Sequence, residues 1–120
     1  MATALFVYGT LVDTGLLRRL TGRTFPSRPA RLDGWDRVVP VRGYPFILER
    51  AGAHVDGLLL ADIDPTSLAR LDEYEDAGRL YDRVPVEVVT AGGRVPCETY
   101  AGDVAALRAA FGPDALRPRA

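Results

Sequence analysis

Lysine is absent from this chain of 120 residues, as are asparagine and glutamine, and all 15 of its positive charges are arginines. Without a lysine amine, the protein cannot form a Schiff base with a carbonyl substrate through a side chain. It also cannot contain the phosphate-binding loop that ends in Gly-Lys-Ser or Gly-Lys-Thr. The sequence therefore excludes lysine-dependent chemistry.

Cysteine and histidine are nearly absent as well, because Cys97 and His54 are the sole residues of their kinds. Two such ligands are too few for a structural zinc, an iron–sulfur cluster or a haem, and a single thiol makes no internal disulfide. We predict that Cys97 is a small apolar filler and that His54 is a surface residue, so a serine triad with His54 as its base has little support. We expect neither a metal nor a cofactor.

Long apolar runs and an excess of one charge are also missing. No stretch approaches the roughly 18 apolar residues of a membrane span, and the first residues lack the basic and apolar regions of a signal peptide. Fifteen arginines oppose 16 acidic residues, and no basic block could follow a nucleic-acid backbone. We expect a cytoplasmic monomer or small homo-oligomer that binds small molecules, and neither nucleic acid nor membranes.

The length fits one globular domain over residues 1–120, with a loose C-terminal tail from about residue 113. Turn residues and apolar patterns predict strands at 4–8, 45–49, 55–63, 81–90 and 94–101, with an irregular extended segment at 30–41. Capping residues predict helices that begin after Asp13 or Thr14, after Asp64 and after Asp103. The short connections favour an α+β fold, a small mixed and mostly antiparallel β-barrel flanked by short helices.

The most informative residue is Glu75, near the end of the helix that begins at Pro65. At about 100° per residue, Glu75 falls between Leu68 and Leu71 on the apolar stripe, if the helix runs to about Asp76. Burial of a carboxylate raises its pKa toward the range that is useful for proton transfer. Glu75 is therefore a candidate acid/base. Alternatively, it pairs with Arg83, or the helix ends one residue early and Glu75 is solvated.

Other acidic residues surround Glu75, and they raise the question of a metal site. Asp72, Glu73 and Asp76 differ in helical angle, and carboxylates at such spacing most often form a solvated face. We therefore do not predict a metal there.

The strand at residues 4–8 breaks at Gly9 and leads directly into a short helix. Such a turn exposes backbone N–H groups, which can hold a carboxylate or a developing oxyanion. The alternative is an ordinary turn in which Gly9 supplies an unusual backbone angle. Together with Glu75, however, the turn completes a set of short motifs in a defined order: Phe6-Val7-Tyr8-Gly9-Thr10-Leu11, Gly43-Tyr44-Pro45, Val55-Asp56-Gly57-Leu58-Leu59, Leu71-Asp72-Glu73-Tyr74-Glu75 and Tyr81-Asp82-Arg83-Val84-Pro85-Val86.

In this order and spacing the motifs resemble those of the gamma-glutamylcyclotransferase-like family, up to about residue 100. The resemblance implies an enzyme of that family, which closes a gamma-glutamyl group to 5-oxoproline without a cofactor and releases an amine. It implies that Glu75 is the catalytic acid/base. It further implies that the turn formed by Tyr8, Gly9, Thr10 and Leu11 binds the substrate. Three further positions, Tyr44, Tyr81 and Arg83, belong to the same binding set.

Two loops depart from the family pattern, at residues 12–15 and 76–80, and both should border the leaving-group part of the cavity. The identity of the released amine is therefore open. Two other classes of protein also remain open: a binding protein that uses the same cavity without turnover, and a structural protein whose side chains fill the cavity.

Overall fold

Five strands close into a barrel in a computed structural model that describes residues 2–40, 45–113 and 115–116. Around the barrel the strands follow the order β1, β3, β2, β4, β5. Neighbours are antiparallel except β1 and β5, which are parallel. The predicted α+β barrel is confirmed, with these strands: β1 (Thr3–Val7), β2 (Ser27–Val38), β3 (Phe46–Ile63), β4 (Tyr81–Thr90) and β5 (Gly93–Gly102).

Three helices flank the barrel: α1 (Thr14–Thr21), α2 (Pro65–Tyr74) and α3 (Val104–Phe111). Each begins after an aspartate whose side chain accepts hydrogen bonds from backbone N–H groups of the first turn. These N–H groups have no partner within the helix, so the caps stabilise all three helix starts. The predicted starts are therefore confirmed.

Helix α2 ends at Tyr74, two residues before the predicted end. Asp76 adopts a left-handed backbone with φ of 56°, which no continuing α-helix accommodates. Leu68 and Leu71 are buried against β1 and α1, as the apolar stripe predicts. This packing brings the end of α2 beside the end of β1.

Strand β3 approaches β1 so closely that position 57 must be glycine. A Cβ atom at Gly57 would lie 2.2 Å from the carbonyl oxygen of Val7 and 2.9 Å from the Phe6 ring. Real Cβ atoms do not come this close to a backbone oxygen, and only glycine lacks the atom. The contact fixes the end of β1 immediately before the Tyr8–Leu11 turn.

The prediction of separate strands at 45–49 and 55–63 is wrong, since β3 runs unbroken from Phe46 to Ile63. Its pairing with β2 is nevertheless interrupted, because residues 50–53 lie opposite Gly34 alone. This local irregularity is what the sequence suggested as a break.

Two predictions fall wholly or partly outside the described residues. The turn at 42–45 is described only at Pro45, so the predicted site residue Tyr44 lies outside. Of the predicted tail, 114 and 117–120 lie outside, whereas Ala115 is buried and Leu116 packs against the cluster around Phe46. Packed structure therefore continues to Leu116.

No helix among the described residues is long and apolar enough to cross a membrane.

Candidate active site

A cavity of about 450 Å³ opens between the end of β1 and the end of α2. Buried side chains form its floor, among them Phe6, Leu11 and Tyr100, whereas Arg37 and Tyr74 at its mouth are exposed. The volume lies within the range of sites for small molecules. The full lining is Phe6, Val7, Tyr8, Gly9, Thr10, Leu11, Arg37, Pro45, Tyr74, Glu75, Asp76, Arg79, Leu80, Tyr81, Tyr100 and Phe111.

Glu75 lines this cavity from the residue that immediately follows α2. Its carboxylate has neither an ion-pair partner nor a hydrogen-bond partner in the described part of the chain, and it is only partly accessible to solvent. Burial raises the pKa of Glu75 from 4.5 to about 7. Near neutral pH this carboxyl group can therefore both accept and donate a proton.

Of the two alternatives for Glu75, the pair with Arg83 is wrong, and the early helix end is right except that Glu75 is not fully solvated. Arg83 pairs with Asp72 and Glu98 instead of Glu75. Helix α2 does end one residue before Glu75, yet the side chain remains partly buried at the cavity. The backbone N–H of Glu75 still donates to Leu71 O at 2.9 Å, which keeps its position on the helical path.

One turn before Glu75, Asp72 belongs to a hydrogen-bonded group that we call the Asp72 cluster: Asp72, Arg83, Glu98 and Tyr100. Arg83 places Nε 3.0 Å from Asp72 Oδ1 and Nη1 2.8 Å from Glu98 Oε2. The Tyr100 hydroxyl donates to Asp72 Oδ1 at 2.6 Å. Burial, together with this bond, raises the pKa of Tyr100, so the phenol stays neutral. The cluster ties α2 to β4 and β5 and thereby orients Glu75.

The turn after β1 forms the opposite wall of the cavity. Its first hydrogen-bonded N–H is that of Val12, which donates to Gly9 O at 3.2 Å. The amides of Thr10 and Leu11 come before that bond, where a helical turn leaves N–H groups without an intrahelical partner. A Cβ atom at Gly9 would meet no protein atom within 4 Å, so the space beside this backbone is open.

Two tyrosine hydroxyls hold the turn in place. The Tyr8 hydroxyl donates to the carbonyl oxygen of Tyr100. Burial, and secondarily the charge of Glu75, raises the pKa of Tyr8, so Tyr8 stays protonated as a donor. At the mouth, the hydroxyls of Thr10 and Tyr74 are hydrogen-bonded at 3.1 Å and connect the turn to the end of α2.

The structure brings most of the predicted site residues together. Tyr8, Gly9, Thr10, Leu11, Glu75 and Tyr81 all line the cavity. Arg83 and its partner Asp72 do not line it, but Asp72 is hydrogen-bonded to Tyr100, which does.

Sequence reasoning missed Tyr74, Tyr100 and Arg37 in the lining. Tyr74 is adjacent to Glu75 in the helical motif and could have been included. Tyr100 and Arg37 carry no local signal, because barrel closure alone brings β5 and β2 to the site.

The carboxylates near Glu75 do not converge on a common point. Asp76 Oδ2 is 2.6 Å from Arg79 Nε, Asp72 belongs to its cluster, and Glu73 is exposed. Over residues 2–40, 45–113 and 115–116, no three His, Cys, Asp or Glu side chains are grouped as metal ligands.

Cys97 is buried within the barrel core, and burial raises the pKa of its thiol to about 11. It is an apolar filler, as predicted. His54 is exposed on β3, also as predicted.

Comparison with known proteins agrees with this geometry. The family model for "Gamma-glutamyl cyclotransferase, AIG2-like" matches residues 5–111, and the chain belongs to this family. Protein AIG2 C of Arabidopsis thaliana is 32% identical over 99 residues, which cover 79% of this chain and 58% of that protein. A protein of Methanocaldococcus jannaschii named gamma-glutamylcyclotransferase and putative RNase is 30% identical over 90 residues, 74% of this chain and 40% of that protein.

Among solved structures, the solution structure of an Arabidopsis thaliana protein superposes with a TM-score of 0.76 at 30% identity, covering 85% of this chain and 62% of that one. The chain thus spans about half the length of the curated relatives it matches. Family and fold are shown by these likenesses.

Proposed function

We propose that this protein is a gamma-glutamylcyclotransferase that closes the gamma-glutamyl group of a small amine or peptide to 5-oxoproline and releases the amine. One observation carries the proposal: Glu75 lines a cavity without a pairing partner among the described residues, and its pKa is raised to about 7. Membership of the family supports the same reaction. A cytoplasmic location and independence from cofactors are part of the proposal.

The substrate contains its own nucleophile, the alpha-amine. The protein therefore needs to supply a group that carries protons rather than a nucleophile. Glu75 takes a proton from the substrate's alpha-ammonium group, and the freed amine attacks the gamma-carbonyl carbon. A C–N bond forms and closes a five-membered ring with an oxyanion on the carbonyl oxygen. Glu75 then donates this proton to the leaving nitrogen, the carbonyl re-forms, and the old C–N bond breaks to release the amine. The ring nitrogen still carries two protons and gives one of them to the Glu75 carboxylate, which leaves 5-oxoproline as the neutral lactam; Glu75 passes that proton to the released amine or to solvent.

The turn opposite Glu75 supplies the hydrogen-bond donors. The backbone from Gly9 to Leu11 lines the cavity beside the open space at Gly9, and its amide N–H groups hold the substrate carboxylate or the oxyanion. Tyr8 and Tyr81 line the pocket for the glutamyl group, and Tyr44 belongs to this binding set by resemblance. Arg83 acts through the Asp72 cluster and is therefore a positioning residue.

The test is release of 5-oxoproline from a panel of gamma-glutamyl compounds by wild type and Glu75→Gln. Loss of proton transfer should lower kcat/KM by about 10²- to 10⁴-fold. Glu73→Gln is the matched control, since Glu73 is exposed two residues away and does not line the cavity. Equal activity of wild type and Glu75→Gln would remove Glu75 from the mechanism.

A binding protein without turnover remains the competing hypothesis. The Glu75–Arg83 pair that would have favoured it is absent, because Arg83 pairs with Asp72 and Glu98. Thermal stabilisation by gamma-glutamyl compounds without product would support binding alone. A purely structural role required a filled cavity, and the cavity is open.

A further inference from the structure

Four charged side chains line the cavity, and two of them neutralise each other. Asp76 and Arg79 are joined at 2.6 Å between Oδ2 and Nε. Glu75, whose pKa is raised, is largely neutral below pH 7. This leaves Arg37 as a cation at the mouth of the cavity that pairs with no carboxylate in the described part of the chain.

Arg37 lies near the end of β2, where it pairs in register with Ile47 of β3. It forms no ion pair with any residue that the structure describes, although Asp36 precedes it in the chain. The Asp36 carboxylate is taken by Arg50, whose Nη1 lies 3.0 Å from Oδ2. The positive charge of Arg37 lowers the pKa of the Tyr8 phenol, against the larger effect of burial. Both residues line the cavity, so the guanidinium lies close to the space that a ligand would fill.

Most other arginines of the barrel strands differ from Arg37 in having an ion-pair partner. Arg31, Arg83 and Arg94 each pair with a carboxylate of their own or a neighbouring strand. Arg28 is also unpaired among the described residues, but it does not line the cavity. Arg37 alone of these combines an unused charge with a place at the cavity mouth.

We propose that Arg37 binds a carboxylate on the leaving group, so that the preferred substrates are gamma-glutamyl amino acids or peptides rather than gamma-glutamyl amines. This inference rests on the proposed function. With the glutamyl head at the Tyr8–Leu11 turn and the reacting carbonyl beside Glu75, the leaving group extends toward the mouth. A guanidinium can bind a carboxylate there through two parallel hydrogen bonds.

A matched pair of substrates tests the proposal. Gamma-glutamyl-alanine and gamma-glutamyl-ethylamine differ only by the carboxylate of the leaving group. Arg37→Gln should lower kcat/KM about 10-fold for gamma-glutamyl-alanine, in line with a lost charge-assisted hydrogen bond, and less than about twofold for gamma-glutamyl-ethylamine. Arg28→Gln, on the same strand and outside the cavity, is the control and should change neither.

Binding gives a second readout that needs no turnover. Calorimetry on the Glu75→Gln protein should show tighter binding of gamma-glutamyl-alanine, and adding Arg37→Gln should abolish that preference. The role of Arg37 is overturned if Arg37→Gln lowers kcat/KM equally for both substrates. It is also overturned if neither kcat/KM nor binding affinity favours gamma-glutamyl-alanine over gamma-glutamyl-ethylamine. A binding preference in the Glu75→Gln protein, together with no 5-oxoproline from wild type on either substrate, refutes the cyclotransferase activity and leaves the carboxylate site intact.

Discussion

Asp72 and Glu75 lie one helical turn apart at the end of α2, yet the fold uses these two carboxylates in opposite ways. Asp72 accepts a hydrogen bond from Tyr100 and pairs with Arg83, and its side chain is 28% exposed. Glu75 is also partly buried, but no described residue pairs with it and its pKa rises to about 7.

The difference shows that burial alone does not make a carboxylate reactive. Burial disfavours the charged form, whereas a cation or a donor nearby favours it. The Asp72 cluster supplies both to Asp72, and the cavity supplies neither to Glu75. Asp72 is thus suited to hold the helix in place, and Glu75 is suited to move a proton.

The largest expected effect is the pH dependence that Glu75 imposes on stability. Its folded pKa lies above the unfolded value, so its contribution is complete below about pH 4.5 and is lost as the pH rises through about 7. Raising the pH across this range therefore lowers the free energy of unfolding by about 3 kcal/mol. Urea unfolding at pH 5 and pH 8 measures it, and Glu75→Gln should remove most of the difference.

Glu73→Gln serves as the control in that experiment, because its side chain is exposed and should leave the pH difference unchanged. If Glu75→Gln loses as much stability between pH 5 and pH 8 as wild type does, the carboxylate of Glu75 is not desolvated.

Removing the cation Arg83 from the Asp72 cluster should lower the free energy of unfolding by a smaller amount. Arg83→Met leaves Asp72 and Glu98 close together without a counter-charge, and both side chains are about one-third exposed. Such partial burial should cost about 2 kcal/mol in the free energy of unfolding at pH 7, below the range for fully buried pairs. Arg94→Met, which removes an exposed pair with Glu87, should cost far less. Equal costs would show that the cluster is no stronger than a surface pair.

Asp72→Asn tests positioning with a milder change. The amide oxygen still accepts from Tyr100, but the attraction to Arg83 is lost, so stability should fall by about 1 kcal/mol. Because Glu75 keeps its carboxyl group, the midpoint of the pH profile of kcat/KM, which reports the free enzyme, should stay near 7 while kcat/KM falls severalfold. A collapse of activity to the level of Glu75→Gln would assign the proton transfer to Asp72 instead.

The smallest effect is expected at the mouth of the cavity. Tyr74→Phe removes the exposed hydrogen bond to Thr10, and a solvated bond of this kind should be worth about 0.5 kcal/mol or less. Activity toward gamma-glutamyl-alanine should change less than about twofold. A larger loss of kcat/KM would show that the Tyr74 hydroxyl contacts the substrate.

Local sequence signals predicted the parts of the molecule that depend on neighbouring residues. The caps Asp13, Asp64 and Asp103 were found because capping involves bonds over two or three residues. The hairpin of β4 and β5 was found because Ala91-Gly92-Gly93 separates two alternating segments. The inward direction of Glu75 followed from the helical stripe.

The predicted end of α2 and the alternative that paired Glu75 with Arg83 were wrong for a common reason. Asp76 leaves the helical path where the chain passes from α2 to β4, and Arg83 of β4 meets Asp72 of α2 and Glu98 of β5. Neither relation involves near neighbours in the chain, so periodicity carries no information about it.

By itself, the sequence determined which reactive side chains are available and that Glu75 points toward the apolar side of its helix. With no lysine, one cysteine and one histidine, it offered a glutamate on an apolar stripe and a turn after the first strand. The tertiary structure alone decided that Glu75 has no partner among the described residues, since the fold directs Arg83 to Asp72 and brings Arg37 to the cavity mouth. Pairing between distant residues depends on strand order and register, and these set which charges are left for a ligand.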